Sequence, residues 1–400
     1  MRKIVLLLSL ACVAAACGTI RKSVPVLSDM DLVGGYHREP VTWDAARFAP
    51  HVSFTAGDGE EQWLFQSFLM IESVDVARGL HFSLGPDGQS AGRESWEDML
   101  QRWLGPDGAV AALDEACAAA AARIGKPAQK RQVIITLPDA VMFERFADKH
   151  SSTTYWGAVN GRQLDFSDVQ DQLAAYHWYI DTAREMFRKL HCKYLELGGF
   201  YVLSEELHLS YGETPMERLN CQYKRWEEIV PALSEYCHAQ AEGLWWIPYH
   251  MAPGYKHWKK LGFDMAFMQP NWYWDLYYGN HPFDKTLEAI KAFGMGMELD
   301  FEFSAVADQM TGGVMGPDGA GKLVFRSSDV PALQDRLRYY MQAFKEAGLY
   351  GVAPLAVYSG SNALTQLAVS PLPQDQALYL ELCEFVVGAR KAFYASKAKH

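Results

Sequence analysis

Eight short runs of apolar, β-type residues alternate along the chain with amphipathic helical patterns, and few folds accommodate that order. The runs are Leu32–Tyr36, Leu64–Ile71, Gln132–Leu137, Tyr194–Val202, Leu244–His250, Asp264–Gln269, Met295–Phe301 and Gly351–Tyr358. Most are continuously apolar, as expected of strands covered on both faces. From Val169 to Leu190 the residues Val169, Leu173, Tyr176, Ile180, Ala183, Phe187 and Leu190 keep one stripe in steps of four and three, which predicts a helix with one inward face. Ser167 and Gln170 form a candidate capping box at its start. Leu333, Leu337, Tyr340, Phe344 and Ala347 repeat the pattern, with Gly348 as a C-terminal stop. Gln222–Glu242 also reads as helix, with Pro231 inside it, so either a kink or a second helix is expected there.

Strands that alternate with helices pair in parallel through right-handed crossovers. Eight such units predict an α/β fold of one kind, a single (β/α)8 TIM-type barrel spanning residues 31–400. A barrel needs about 250 residues, so the excess of a 400-residue chain falls in long segments after strand two (Glu72–Gly108), strand three (Pro138–Leu164) and strand seven (Phe303–Ser328). A doubly wound open sheet is the alternative, and the strand count weighs against it.

The first residues are not part of that pattern. Arg2 and Lys3 precede an apolar stretch, Ile4–Val13, and Ala14, Ala15 and Ala16 then lead into Cys17. This reads as a signal peptide over residues 1–17, too short to span a membrane. Small residues before a cysteine resemble a bacterial lipobox, so Cys17 is the expected lipidation site, although Ala14 stands where a larger aliphatic residue is usual. Residues 18–30 are expected to be a tether. The protein is then exported and membrane-anchored, periplasmic or at the cell surface, with plain secretion as the alternative.

Composition narrows the partners. The formal net charge is −11, which gains nothing from phosphate backbones, so nucleic acid is not an expected partner. Beyond the leader, Cys117, Cys192, Cys221, Cys237 and Cys383 are odd in number and lack a CxxC, which argues against a zinc ribbon and a disulfide scaffold. Cys221 and Cys237 could pair; buried free thiols are the plainer alternative. The histidines show no HxH or HExxH, so no structural zinc and no cofactor is expected. Gly316-Pro-Asp-Gly-Ala-Gly321-Lys322 has Walker-type spacing, but Leu323 replaces the Ser/Thr that would hold magnesium. It reads as a loop, and no nucleotide is expected.

In a barrel of this kind, chemistry sits at the C-terminal ends of the strands. The seventh run, Met295-Gly-Met-Glu298-Leu-Asp300-Phe-Glu302, sends Glu298, Asp300 and Glu302 to one face by alternation. The opposite face, Met297, Leu299 and Phe301, suits the helix layer. Three carboxylates at a barrel mouth repel one another, so at least one should have a raised pKa or a cationic partner. The plainer alternative is a set of structural salt bridges. On the fourth run Glu196 lies within the strand, and Glu205 and Glu206 follow its end; a solvated helix start is the alternative for that pair. Glycoside hydrolysis needs one carboxyl as proton donor and a second as nucleophile or base. The candidate roles are Glu205 as donor with Glu206 as rival, and Glu298 as nucleophile or base with Asp300 as rival. The large retaining-glycosidase clan built on this barrel uses these two strand ends, an analogy of fold alone. Tyr36, His37, Tyr249, His250, Gln269, Asn271 and Tyr358 ring the same mouth with Glu302 as candidate substrate contacts. Tyr249, His250 or Tyr358 could supply hydrogen bonds that keep Glu298 ionised. The loop Asn271–Asn280 holds Trp272, Tyr273, Trp274, Tyr277 and Tyr278, flat rings that suit a sugar face, with Trp272 or Trp274 expected to be exposed and the rest packed beneath.

The segments Tyr194-Leu-Glu-Leu-Gly-Gly-Phe-Tyr-Val-Leu-Ser-Glu-Glu206, Trp246-Ile-Pro-Tyr249, Leu261-Gly-Phe-Asp264, Phe267-Met-Gln-Pro-Asn271 and Gly294-Met-Gly-Met-Glu298 resemble the DUF4855 family, a group of uncharacterised bacterial, often exported, barrel proteins. The resemblance runs from about residue 31 to 390. It implies a glycosidase-like barrel in a polysaccharide-processing setting, with no substrate specified. Three functions are therefore carried forward: a glycoside hydrolase on an extracellular or periplasmic glycan, a non-catalytic glycan-binding lipoprotein, and a metal-dependent barrel enzyme with Glu298, Asp300 and Glu302 as oxygen ligands.

Overall fold

The computed structural model describes residues 23–35, 42–83, 90–140, 153–276, 279–310, 325–360 and 362–398. Eight parallel strands close into a barrel: β1 (Asp29–Gly35), β2 (Ser67–Glu72), β3 (Arg131–Leu137), β4 (Leu195–Val202), β5 (Gly243–Trp246), β6 (Met265–Met268), β7 (Gly296–Asp300) and β8 (Leu355–Tyr358). Each of the eight apolar runs overlaps one of them, in sequence order round the barrel, and β1 closes against both β8 and β2. β1 begins inside the stretch read as tether, because Asp29 and Met30 already pair with Leu355 and Ala356.

Parallel partners in register face the same way, so the pairings define the barrel interior. Leu32 pairs with Leu69 and Tyr358, Leu69 with Ile134, Tyr201 with Thr136 and Trp245, and Trp245 with Met265. Phe267 pairs with Gly296, and Glu298 and Asp300 follow on the same face. The interior is filled with side chains, and two glycines make room for the largest. A Cβ at Gly243 would overlap the Trp245 ring, and one at Gly296 would overlap Phe267. Outward residues such as Val33, Met70, Ile135, Met297 and Val357 are fully buried under the helices, which is why the strands lack polar alternation.

The helix layer follows its apolar stripes. Named in chain order, the longer helices are α1 (Ala45–Val52), α2 (Arg93–Leu104), α3 (Ala109–Ile124), α4 (Val169–Leu190), α5 (Trp226–His238), α6 (Phe283–Phe293), α7 (Val330–Glu346), α8 (Ala363–Val369) and α9 (Pro373–Lys397). α4 matches its sequence reading, but its cap is Asp168, whose carboxylate accepts from the Gln170 backbone N–H at 2.9 Å. Ser167 instead donates to Asp165 at 2.7 Å, since it sits one residue too early to reach the first free N–H groups. The break expected at Pro231 lies at Arg225, left-handed at φ 53°, between the turn Cys221–Lys224 and α5, which runs through Pro231. Cys221 and Cys237 are free thiols, the second of them buried.

The three long segments do carry the excess length. The one after β2 holds a hairpin, Val74–Asp75 with Leu80–His81, and then α2. The one after β3 holds the hairpin Ala158–Val159 with Arg162–Gln163. Among the described residues after β7 come the 3-10 turns Phe303–Ala305 and Ser327–Asp329; the glycine-rich Gly316–Lys322 stretch lies outside the described residues. Among the described residues no helix is long and apolar enough to cross a membrane.

Candidate active site

β4 ends at Val202, and its next residues turn over the mouth. Trp246 at the end of β5 donates its indole N–H to the Ser204 carbonyl at 2.7 Å, and the Leu207 N–H donates to Pro253 at 2.8 Å. Those two ties hold Glu205 and Glu206 at the rim, both half-buried. From β7, Glu298 is completely buried and Asp300 is 1% exposed. Gln269, one residue past β6, donates its amide N–H to Glu205 at 3.3 Å. Asp300 and Glu205 both act electrostatically on Glu298 in this space.

The environments separate these acids. Burial pushes Glu205 up to about 7, the charge of Glu206 adds to that, and the Gln269 amide opposes it. Glu298 lies well above the ordinary carboxylate range, through burial first and then through Asp300 and Glu205; Gln269 works the other way. Neither Glu298 oxygen has a hydrogen-bond partner of ordinary geometry. Asp300 rises to about 6 by burial, against hydrogen bonds from Tyr340, the Asn271 N–H and the Trp274 indole. Burial would also raise Glu206, but the His208 hydrogen bond and the Lys224 charge outweigh it and hold it at about 2.

Glu206 is thus the ionised member of the β4 pair. His208 Nε2 lies 3.0 Å and Lys224 Nζ 3.3 Å from its Oε1, and the Tyr249 hydroxyl donates to Oε2 at 3.3 Å. His208 Nδ1 faces the Met216 carbonyl at 2.8 Å, so both ring nitrogens meet acceptors. Lys224 is 1% exposed, and an ammonium so enclosed needs an opposite charge. Sequence reasoning missed both partners. His208 sits between Leu207 and Leu209 with no motif, and no local pattern marks Lys224, which the turn before α5 brings in.

The remaining expected contacts divide. Asp300 latches the loop after β6: its Oδ2 accepts from the Asn271 N–H and from the Trp274 indole, each at 3.1 Å. Trp274 therefore stands at the mouth; it and Trp272 are both half-buried, so neither ring is exposed as expected. Trp272 does not stand there: its ring stacks on Phe283 at 5.7 Å, touches Tyr339 and Tyr340, and lies under the Arg336 guanidinium at 4.0 Å. It belongs to the layer of α6 and α7. His250 turns away to Thr286 on α6 at 2.8 Å, and Tyr249 serves Glu206, so neither hydrogen-bonds Glu298 as expected. Burial and His281 lower the His250 pKa to about 4, leaving it neutral. Glu302 lies beyond β7 and accepts from the Ser304 hydroxyl at 3.3 Å. Tyr358 ends β8 opposite Asp300. Glu196 is at the other end of the barrel, accepting from Gln132 at 2.7 Å. Tyr36, His37, Tyr277, Tyr278 and Cys17 lie outside the described residues. Among the described residues no three His, Cys, Asp or Glu side chains are arranged to hold a metal ion, so the three β7 carboxylates do not converge as ligands.

Two outcomes follow from this packing. Trp272→Ala empties a packed aromatic layer and should cost about 2–4 kcal/mol of stability, while Trp274→Ala, which loses one hydrogen bond and a ring at the mouth, should cost less and should weaken binding of any glycan that sits there by about 1–2 kcal/mol. Denaturant titration and calorimetric binding on the two variants separate the roles. The second outcome concerns Glu298. Its folded pKa is raised, so it does not oppose folding below its unfolded value near 4.5 but destabilises the fold as pH climbs above that value. Glu298→Gln should gain stability relative to wild type between pH 4 and pH 8, read from denaturation midpoints at the two pH values. A constant difference at both would mean that the Glu298 pKa does not change on folding.

Comparison with known proteins adds the following. No curated protein matches the chain. Solved structures of similar shape include the YdhT protein from Bacillus subtilis, 11% identical over 90% of this chain and 86% of that one, TM-score 0.35. The pneumococcal virulence factor StrH, from work on N-glycan recognition and hydrolysis, is 9% identical over 90% and 83%, TM-score 0.37. The Bacillus subtilis mannanase BCman is 11% identical over 88% and 86%, TM-score 0.33. Likeness this distant assigns no residue a role. The model of a domain of unknown function, DUF4855, matches residues 29–314, and the chain belongs to that family.

Proposed function

We propose that the protein is a glycoside hydrolase that cleaves an extracellular or periplasmic glycan with two carboxyl groups at the barrel mouth. The observation that carries this reading is the pairing of Glu205 and Glu298. They come from the ends of β4 and β7, act on each other electrostatically, and share the Gln269 amide. Glu205 holds its proton to about pH 7, as a general acid must. It gives that proton to the glycosidic oxygen as the C–O bond breaks. Glu298, once ionised, is the nucleophile or the base that activates water. Glu206 is held ionised by Lys224 and His208, which supports Glu205 over Glu206 as the donor. Asp300 orients Asn271 and Trp274, and Trp274, Asn271 and Gln269 contact the sugar. Hydrolysis of a glycan panel by the mature protein, with Glu205→Gln as the control, tests the reading. Binding without turnover on every glycan, unaffected by Glu205→Gln, would make the protein a lectin-like barrel instead.

The leader Arg2–Val13 followed by Ala14-Ala-Ala-Cys17 supports export and a lipid on Cys17. Mass spectrometry of the protein from its native host should find an acylated N-terminal residue 17, and Cys17→Ser should release soluble protein. An unmodified N-terminus elsewhere overturns the anchor.

A further inference from the structure

Among the described residues, the acids on the floor of the mouth have no cationic partner. Glu298 is completely buried on the inward face of β7, and neither of its oxygens has a hydrogen-bond partner. Two residues on, Asp300 is 1% exposed and its Oδ1 is also unpartnered. Buried carboxyl groups are ordinarily paired with a cation or fully hydrogen-bonded. Here Glu206 acts on Glu205, Asp300 and Glu205 act on Glu298, and the neutral donors are Gln269, Tyr340, Asn271 and Trp274. Among the described residues no lysine or arginine acts on the three. The cations near the mouth are committed elsewhere: Lys224 and His208 face Glu206, and Arg336 is stacked on Trp272.

We propose that the sugar seated on this floor carries a free amino group, so that the substrate is a glycan of de-N-acetylated hexosamine. An ammonium brings one positive charge and three N–H donors, for the Glu298 carboxyl group and for the free Oδ1 of Asp300. This deepens the glycosidase reading and rests on it for the placement of the amine. With Glu298 beside the anomeric carbon, a substituent on C2 is the neighbouring group, within reach of Glu298 and Asp300. The charge also answers a difficulty of the free site. Glu298 must ionise to act, no described cation helps it, and a bound ammonium does. An N-acetyl group has no charge to offer, and a uronate would raise these acids further instead of helping Glu298 to ionise.

The test is calorimetric binding of glucosamine and galactosamine tetramers, each against its N-acetylated counterpart, at pH 6 in low salt. One of the two amine-bearing tetramers should bind about 10-fold or more tightly than its acetylated partner, the worth of one charge-assisted contact. The preference should shrink in high salt. Glu298→Gln and Asp300→Asn, each checked for an unchanged melting profile, should each reduce it to about threefold or less. Equal binding within both pairs, binding of neither amine, or a preference that survives both substitutions overturns the inference. Glu205-dependent hydrolysis of acetylated or neutral glycans without any amine preference would leave the glycosidase reading intact and remove this one. Glu298-dependent amine binding with no turnover would do the reverse.

Discussion

Glu205→Gln is expected to lower kcat by about 10³- to 10⁴-fold on the glycan that the panel identifies, the scale of losing a positioned general acid. The amide has the same shape and keeps a contact with Gln269, but it has no proton to donate. Glu298→Gln should cost as much, because donor and partner act as a unit and the double variant should be little worse than either. The pH profile distinguishes chemistry from damage. With Glu298 ionised in the substrate complex, loss of the Glu205 proton, which burial holds to about pH 7, should make wild-type activity fall as pH rises through that value, and the residual activity of Glu205→Gln should not fall there. If both variants keep near-native rates while Glu206→Gln and Asp300→Asn are inactive, the barrel mouth is the site and the roles are misassigned. If all four remain active, the two-carboxylate mechanism is wrong.

Glu206→Gln should instead act on stability. It removes the carboxylate that faces Lys224, which is 1% exposed, and His208. Leaving one partner of a buried pair behind costs about 3–5 kcal/mol. Glu206 is itself 35% exposed, and solvent screening brings the expectation down to about 2–3 kcal/mol. The pH dependence has a definite sign. The folded pKa of Glu206 is depressed to about 2 from 4.5, so its contribution is complete above the unfolded value and is lost as pH falls through the folded one. The destabilisation should be full at pH 7 and should fade toward pH 2–3 in denaturant titrations. A variant as stable as wild type at pH 7 would show that the Lys224 ammonium does not depend on Glu206. Turnover per folded molecule should fall far less than in Glu205→Gln.

These two glutamates also mark where reading the chain alone stops. Glu205 and Glu206 are neighbours with the same side chain, and nothing local tells the donor from the ion-paired residue. The distinction comes from Lys224, eighteen residues on, and from Tyr249 at the end of another strand. Likewise Trp272 and Trp274 are two residues apart in one aromatic loop. Local pattern offers no reason for one to face α6 and α7 and the other to meet Asp300.

What the sequence by itself determined is everything that repeats with a short period. The eight strands, the stripe of α4, the long insertions and the inward set Glu298–Asp300 follow from alternation and from apolar spacing, which the chain carries in any context. Its errors were small where they were local: a cap one residue off at Asp168, a helix break moved from Pro231 to Arg225. What only the tertiary structure decided is the electrostatic state of each acid. A pKa depends on which charges and dipoles lie within a few ångströms and on how much water is excluded. Those neighbours come from β4, β5, β6 and β7 at once. Closure of the barrel brings Gln269 to Glu205, buries Glu298 without a partner, and sets Lys224 and His208 on Glu206, and no single segment contains that information.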